Sequence, residues 1–219
     1  MYYQKLKEVS TLYKDCLRSD SNFIIVYAKY LYYRIFSKKR LYLHEKVSIK
    51  GVNNIEARGR IRIGVDYVGF LHKTDVTYLN INGKLKIDGN YSIGRGCRFD
   101  IGQNAEVKIG NGGYINANTN LIIMHKLTIG ENCVISWNCQ FLDEDFHSIE
   151  YAGKKASRNE IILGNNVWVG CGVYIYKGTV IADGCVVASN SVVRGEFNIK
   201  NAIIGGNPAR VIKENIDWH

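Results

Sequence analysis

Proline is nearly absent from this chain, with one residue in 219 against 22 glycines. That imbalance excludes a Pro-rich linker or a disordered tail and predicts many tight turns in a regular array. No stretch reaches roughly 18 apolar residues without a charge, so no membrane-spanning helix is expected. The six cysteines include no Cys-x-x-Cys pair and lack the density of a small disulfide scaffold. Nor does the N-terminus show a short basic segment leading into an apolar run and a small-residue cleavage site. A reduced cytoplasmic compartment is therefore the expectation.

Acidic residues are scarce in one region only. Residues 1–50 hold 11 Lys/Arg against 4 Asp/Glu, which accounts for +7 of the formal charge of +9. A basic balance points to nucleic acid, an anionic membrane or acidic small molecules. Confined to one terminal segment, it describes that segment more than any active site.

What is present is a repeat of period six. From Leu163 an aliphatic residue leads each unit: Leu163, Val169, Ile175, Ile181, Val187 and Val193. Upstream the same rhythm runs through Ile81, Ile87, Ile93 and Phe99, then Ile109, Ile115 and Leu121, then Ile129, Ile135 and Phe141. It slips by two at Phe99→Ile101, Val107→Ile109 and Leu127→Ile129, read here as corners with extra residues. Period six is neither helical nor simple strand alternation. It fits a triangular coil whose sides are each one short strand and one turn. The leading aliphatic points inward. The residue four places later points inward too and must be small: Cys97, Ala105, Thr119, Cys133, Cys139, Val167, Val173, Thr179, Cys185 and Ser191. Four cysteines are thereby expected as core filling, whereas Cys171 falls out of register and is left open.

The run Asn165-Asn-Val-Trp-Val-Gly, the hexads after it and Gly205-Gly-Asn-Pro-Ala-Arg-Val-Ile-Lys resemble the maltose/galactoside and polysaccharide O-acetyltransferases of the hexapeptide-repeat group. The resemblance covers roughly residues 80–213 and implies an all-β, left-handed parallel β-helix. The expected organisation is a helical N-terminal segment (1–45), the β-helix (46–206) and a C-terminal tail (207–219). Residues 1–45 do not resemble the small helical domain of the maltose enzymes, which favours the polysaccharide-modifying branch.

The chemistry is expected where the repeat breaks, at residues 142–162, because repeat proteins carry insertions on their functional face. His147 lies in that break and is the candidate general base, a neutral imidazole that takes the proton of a sugar hydroxyl as it attacks a thioester. One of the preceding acids Asp143, Glu144 and Asp145, with Asp145 or Asp143 favoured, is expected to orient its ring, a role that a backbone carbonyl fills in several members of the group described above. The resemblance adds Asn118 beside the reacting centre, with Asn116 and Asn120 as weaker alternatives. Trp168 and Asp143 are the expected substrate contacts. The N–H of Gly170 or Cys171 is the candidate oxyanion donor. Ser189, Arg194, Arg210 and Lys213 are the candidate coenzyme A contacts, the cations suited to phosphate. The remaining histidines are expected to be structural or exposed. Acetyl-CoA as co-substrate, a carbohydrate acceptor and a homotrimer with shared sites are implied; no metal is.

Residues 23–36 form an apolar, aromatic run closed by Ser37-Lys-Lys-Arg40. It reads either as a helix packed on the end of the β-helix or a neighbouring subunit, or as an interfacial helix making peripheral contact with the inner membrane surface. Three rivals to sugar O-acetylation were weighed. An N-acyltransferase on an amino sugar nucleotide would carry its histidine in an unbroken coil. A carbonic anhydrase would need three converging histidines. A non-catalytic scaffold would have lost His147 or Trp168. Nucleic-acid binding lacks any recognisable motif.

Overall fold

Each hexad buries one large side chain and then turns, so three hexads return the chain to its starting face one rung higher. The computed structural model describes residues 2–150, 152 and 158–219, with side chains from Lys7 onward. In it the hexads build a left-handed parallel β-helix, a three-sided prism of nine-, seven- and seven-stranded sheets (faces 1, 2 and 3). Strands recur in the order face 1, face 2, face 3. Every pairing is parallel except the last, where Ala209–Lys213 runs antiparallel to Ile203–Gly206. The first strand, Arg40–Leu43, pairs with Arg60–Ile63, so the prism starts ahead of the expected residue 46.

The core is one continuous column. Leading residues such as Phe99, Ile115, Leu121, Phe141 and Ile175 are buried, as are all ten small residues at the fourth place. Burying each large side chain contributes about 1.5–3 kcal/mol. The small residues also do what an alanine would not. Cys97, Cys133 and Cys139 each point Sγ at a carbonyl of the next coil, Asn116, Gly164 and Gly170 respectively, at 3.1 Å. Thr119 Oγ1 likewise donates to Ser136 O at 3.1 Å. Burial pushes the Cys97 thiol up to about 12 and those of Cys133 and Cys139 to about 11, so these thiols stay protonated.

The two-residue slips have a different origin from the one expected. Phe99 and Ile101 belong to one strand, Arg98–Ile101, and both point inward; Glu106–Ile109 and Lys126–Ile129 behave alike. The extra residues lengthen sides, not corners, because residues i and i+2 of a strand share a face. From Ile161–Leu163 to Glu196–Phe197 every strand is two or three residues long, as at Val180–Ile181 and Val186–Val187, before Ile203–Gly206 and Ala209–Lys213 lengthen again.

Two helices precede the prism, α1 (Tyr2–Arg18) and α2 (Phe23–Phe36). Asn22 caps α2, its Oδ1 accepting from Ile25 N at 3.2 Å, while its own N–H donates to Glu45. α1 lies over the lower strands of face 1, where Asp15 meets Arg62 at 2.9 Å. α2 packs along Arg40–Leu43, with Val26 buried beside Leu12, Cys16, Tyr42 and Val65, and Tyr33 against the prism core. Of the two expectations for this segment, packing on the end of the prism is realised. Among the described residues no helix is long and apolar enough to cross a membrane.

Candidate active site

Two edges of the prism are built alike and the third is not: the 3/1 edge turns through Gly112, Asn132, Asn166, Gly184 and Asn201 in the same left-handed conformation as the 1/2 edge. Along the 1/2 edge the corners are left-handed single residues: Gly96, Asn118, Asn138, Gly172 and Asn190 all have φ between 58° and 78°. Asparagine and glycine are the residues that tolerate this conformation. They also interlock, for a Cβ on Gly96 would collide with Asn118 Oδ1 of the next coil, and one on Gly172 with Asn190 Oδ1. The 2/3 edge has no such column, and here the chain breaks out after Gln140–Leu142 and returns at Ile161–Leu163. Of this excursion, residue 151 and residues 153–157 lie outside the described residues.

The excursion is anchored by its first three acids. Asp143 is fully buried, and its carboxylate accepts from the backbone N–H of Met124, His125 and Lys126 at 2.7–2.8 Å. That corrects the expectations for Asp143: its oxygens hold the corner one coil below and face neither a substrate nor the ring of His147. Glu144 reaches His125 Nε2 at 2.7 Å and accepts from the N–H of Asp145 and Phe146 at 2.8 and 3.2 Å. The hydrogen bond from His125 is the main cause holding its carboxyl below the usual range. Asn159, on the returning strand of the excursion, also meets His125 Nε2 at 3.0 Å. Asp145 is tied to Lys177 Nζ at 2.7 Å, one coil above, so it too is engaged away from His147. Phe146 then takes a left-handed turn (φ 60°), and His147 follows it, exposed. Sequence reasoning missed Glu144, His125 and Lys177 as supports, because their meeting depends on stacking of three successive corners.

The other expected residues lie elsewhere. Asn118 is a 1/2-edge corner whose N–H donates to Arg95 O at 3.0 Å. Gly170, Cys171 and Ser189 stand on the same edge, Cys171 Sγ being 3.3 Å from Ser189 Oγ. The Gly170 N–H is spent on Val187 O at 2.8 Å, which removes it as an oxyanion donor; the Cys171 N–H has no partner among the described residues. Trp168 projects from face 1, about 40% exposed, its Nε1 on Ser136 Oγ at 3.3 Å. Trp218 from the tail lies beside it, ring centroids 5.9 Å apart, and donates to Asn166 O. Trp137, half exposed on the 1/2 edge and touching Phe70, joins that aromatic surface. Neither Trp218 nor Trp137 was expected; an exposed tryptophan outside the repeat register was the available signal. Arg194 is exposed on the 2/3 edge, and Arg210 and Lys213 are exposed on the antiparallel strand closing face 1. Within one chain, then, the histidine and the thioester-side residues sit on opposite edges of face 2. A cavity of about 830 Å³ between α1 and face 1, lined by Leu12, Tyr42, Arg60 and Ser92 among others, contains none of them.

Residues 160–195 match the family model of the bacterial transferase hexapeptide (six repeats). The chain is 39% identical over 220 residues to a 24.8 kDa protein in the cps region of Klebsiella pneumoniae, the alignment covering 100% of this chain and 99% of that one. Among solved structures it resembles a hexapeptide-repeat acetyltransferase of Vibrio cholerae, at 27% identity over 57% of this chain and 70% of the other (TM-score 0.47). It also resembles an N-acyltransferase of Bacillus cereus in complex with dTDP-4-amino-4,6-dideoxyglucose and coenzyme A, at 20% identity over 83% and 82% (TM-score 0.54). The hexads, the match to the family model and the 39% identical relative together make the chain a member of the bacterial hexapeptide-repeat transferase family.

Proposed function

We propose that this protein transfers an acetyl group from acetyl-CoA to a sugar hydroxyl of a surface polysaccharide or its precursor, with His147 as general base. The observation that carries the proposal is the placement of His147: exposed on the excursion that follows Gln140–Leu142, at the end of a turn that Asp143, Glu144 and Asp145 hold at three separate points. A base must be fixed in position yet open to its substrate, and this arrangement supplies both. The relative in a cps region supports the acceptor class.

In this reaction the imidazole removes the hydroxyl proton as the oxygen attacks the thioester carbonyl. The tetrahedral oxyanion accepts a hydrogen bond from the Cys171 N–H, and collapse expels the thiolate of coenzyme A, which recovers the proton from the imidazolium. The residues needed on the two sides of the thioester occupy different edges of one prism. A complete centre is therefore assembled between chains, the 2/3 edge of one facing the 1/2 edge of another, as a homotrimer provides. Asn118, Cys171, Ser189 and Trp168 then act on the side opposite His147, and Arg194, Arg210 and Lys213 meet the phosphates of coenzyme A.

The test is release of free thiol from acetyl-CoA with a panel of glycans, glycolipids, sugar nucleotides and amino sugars. Turnover with hydroxyl-only acceptors is expected. Turnover confined to amino sugars would replace O-acetylation with N-acylation.

A further inference from the structure

α2 has two faces with different fates. One is spent on the prism: Val26 is buried, Tyr30 stacks on Tyr42 at 4.5 Å, and Lys29 Nζ donates to the carbonyls of His44, Glu45 and Val47 at 2.9–3.2 Å. The other is open. Ile24 (76% exposed), Leu31, Tyr32, Ile35 and Phe36 (73%) line it, at the spacing of one helical face. A helix that is apolar all round belongs in an environment that covers it all round. The prism covers only half of this one, and the outer half contributes nothing visible to folding.

The rim of the open face is mainly cationic, the acid nearest α2 being Glu45 at its N-cap. Arg34 lies on the helix, Lys38 directly follows it, and Lys46 and Lys50 project from the first coil; all four are exposed. Residues 21–44 include no Asp or Glu. None of these four cations has an ion-pair partner among the described residues, whereas Arg40, Arg60 and Arg62 closer to α1 are paired with Glu8, Asp15 or Asp66. Pairing two copies through this face would oppose like charges around the contact, which disfavours a second copy as the occupant. An anionic surface satisfies both features at once.

We infer that α2 docks this protein on an anionic lipid bilayer, its outer face lying shallowly among the acyl chains and its cationic rim against the headgroups. At 14 residues the helix lies in the interface and does not cross it. α2 covers the first coil and the excursion leaves the fifth, so the two are about 20 Å apart along the prism axis, at about 4.8 Å per rung. This inference is independent of the reaction catalysed.

Flotation of the full chain with vesicles of phosphatidylcholine alone, and of phosphatidylcholine mixed with phosphatidylglycerol, tests it. Binding to the mixed vesicles and not to the neutral ones is expected, and it should weaken as salt rises. Two variants, I24Q/I35Q/F36Q and R34E/K38E, alter only exposed side chains. Each is expected to lower the bound fraction about tenfold while keeping the parent melting temperature. No binding of the parent to either vesicle, or equal binding by parent and both variants, overturns the inference. So does an oligomer in lipid-free solution that the triple variant dissociates while the parent ignores both vesicles, which would identify a second copy as the occupant.

Discussion

The 1/2 edge and the 2/3 edge of this prism flank the same face and are made by opposite means. The first is a column of left-handed asparagines and glycines whose side chains nest coil on coil. From Gly96 upward its turns keep one length, whereas in the second coil residues 64–76 make a longer connection at the same edge. The second turns through unlike corners, Met124–His125, the excursion, Lys177–Gly178 and Arg194–Gly195, and it is here that the chain departs and returns. In the proposed reaction the base comes from the less regular edge, while Asn118, Cys171 and Ser189 on the regular edge serve the thioester side.

Three tests would break or sharpen that contrast. His147→Ala is expected to lower turnover by a factor on the order of 10² or more, with the melting temperature unchanged; full activity would remove the 2/3 edge from the reaction. Asp143→Ala, on the same edge, should cost about 2 kcal/mol or more of stability in urea unfolding, since it strands buried backbone donors. A loss of activity with no loss of stability would reverse the structural role given to it. Smallest is a pairwise comparison. Gly195→Ala meets no atom within 4 Å and suffers only its positive φ of 101°, whereas Gly172→Ala also strikes Asn190. About 1 kcal/mol is expected for the first and roughly twice that for the second, so equal costs would mean the 1/2 column is not interlocked.

Much of this was written in the sequence in a form that period alone reveals. The leading aliphatics and the small fourth residues are core because nothing else repeats every six, and the break is visible because the repeat stops. What was not legible depends on neighbours that are distant in the chain. Asp143 looks like any loop carboxylate until the coil below places three N–H groups against it. The slip from Phe99 to Ile101 was assigned to a corner because a longer strand produces the same offset. Trp218 lies beyond the last hexad, so no register predicted that it would come back to Trp168. Sequence also presented packing and surface contact by α2 as alternatives, whereas the helix has one face packed on the prism and one left open.

Each parallel sheet ends in a row of backbone groups ready to accept another rung. Here α2 lies along the bottom rung of face 1, and at the top the strand Ala209–Lys213 runs in the reverse direction. A reversed strand presents a hydrogen-bonding pattern that a further parallel coil does not match. The number of rungs is thus set at the termini and not by the interior, which would accept more of the same. On face 1, whose repeating interior would accept further rungs, the two least repetitive segments occupy the ends.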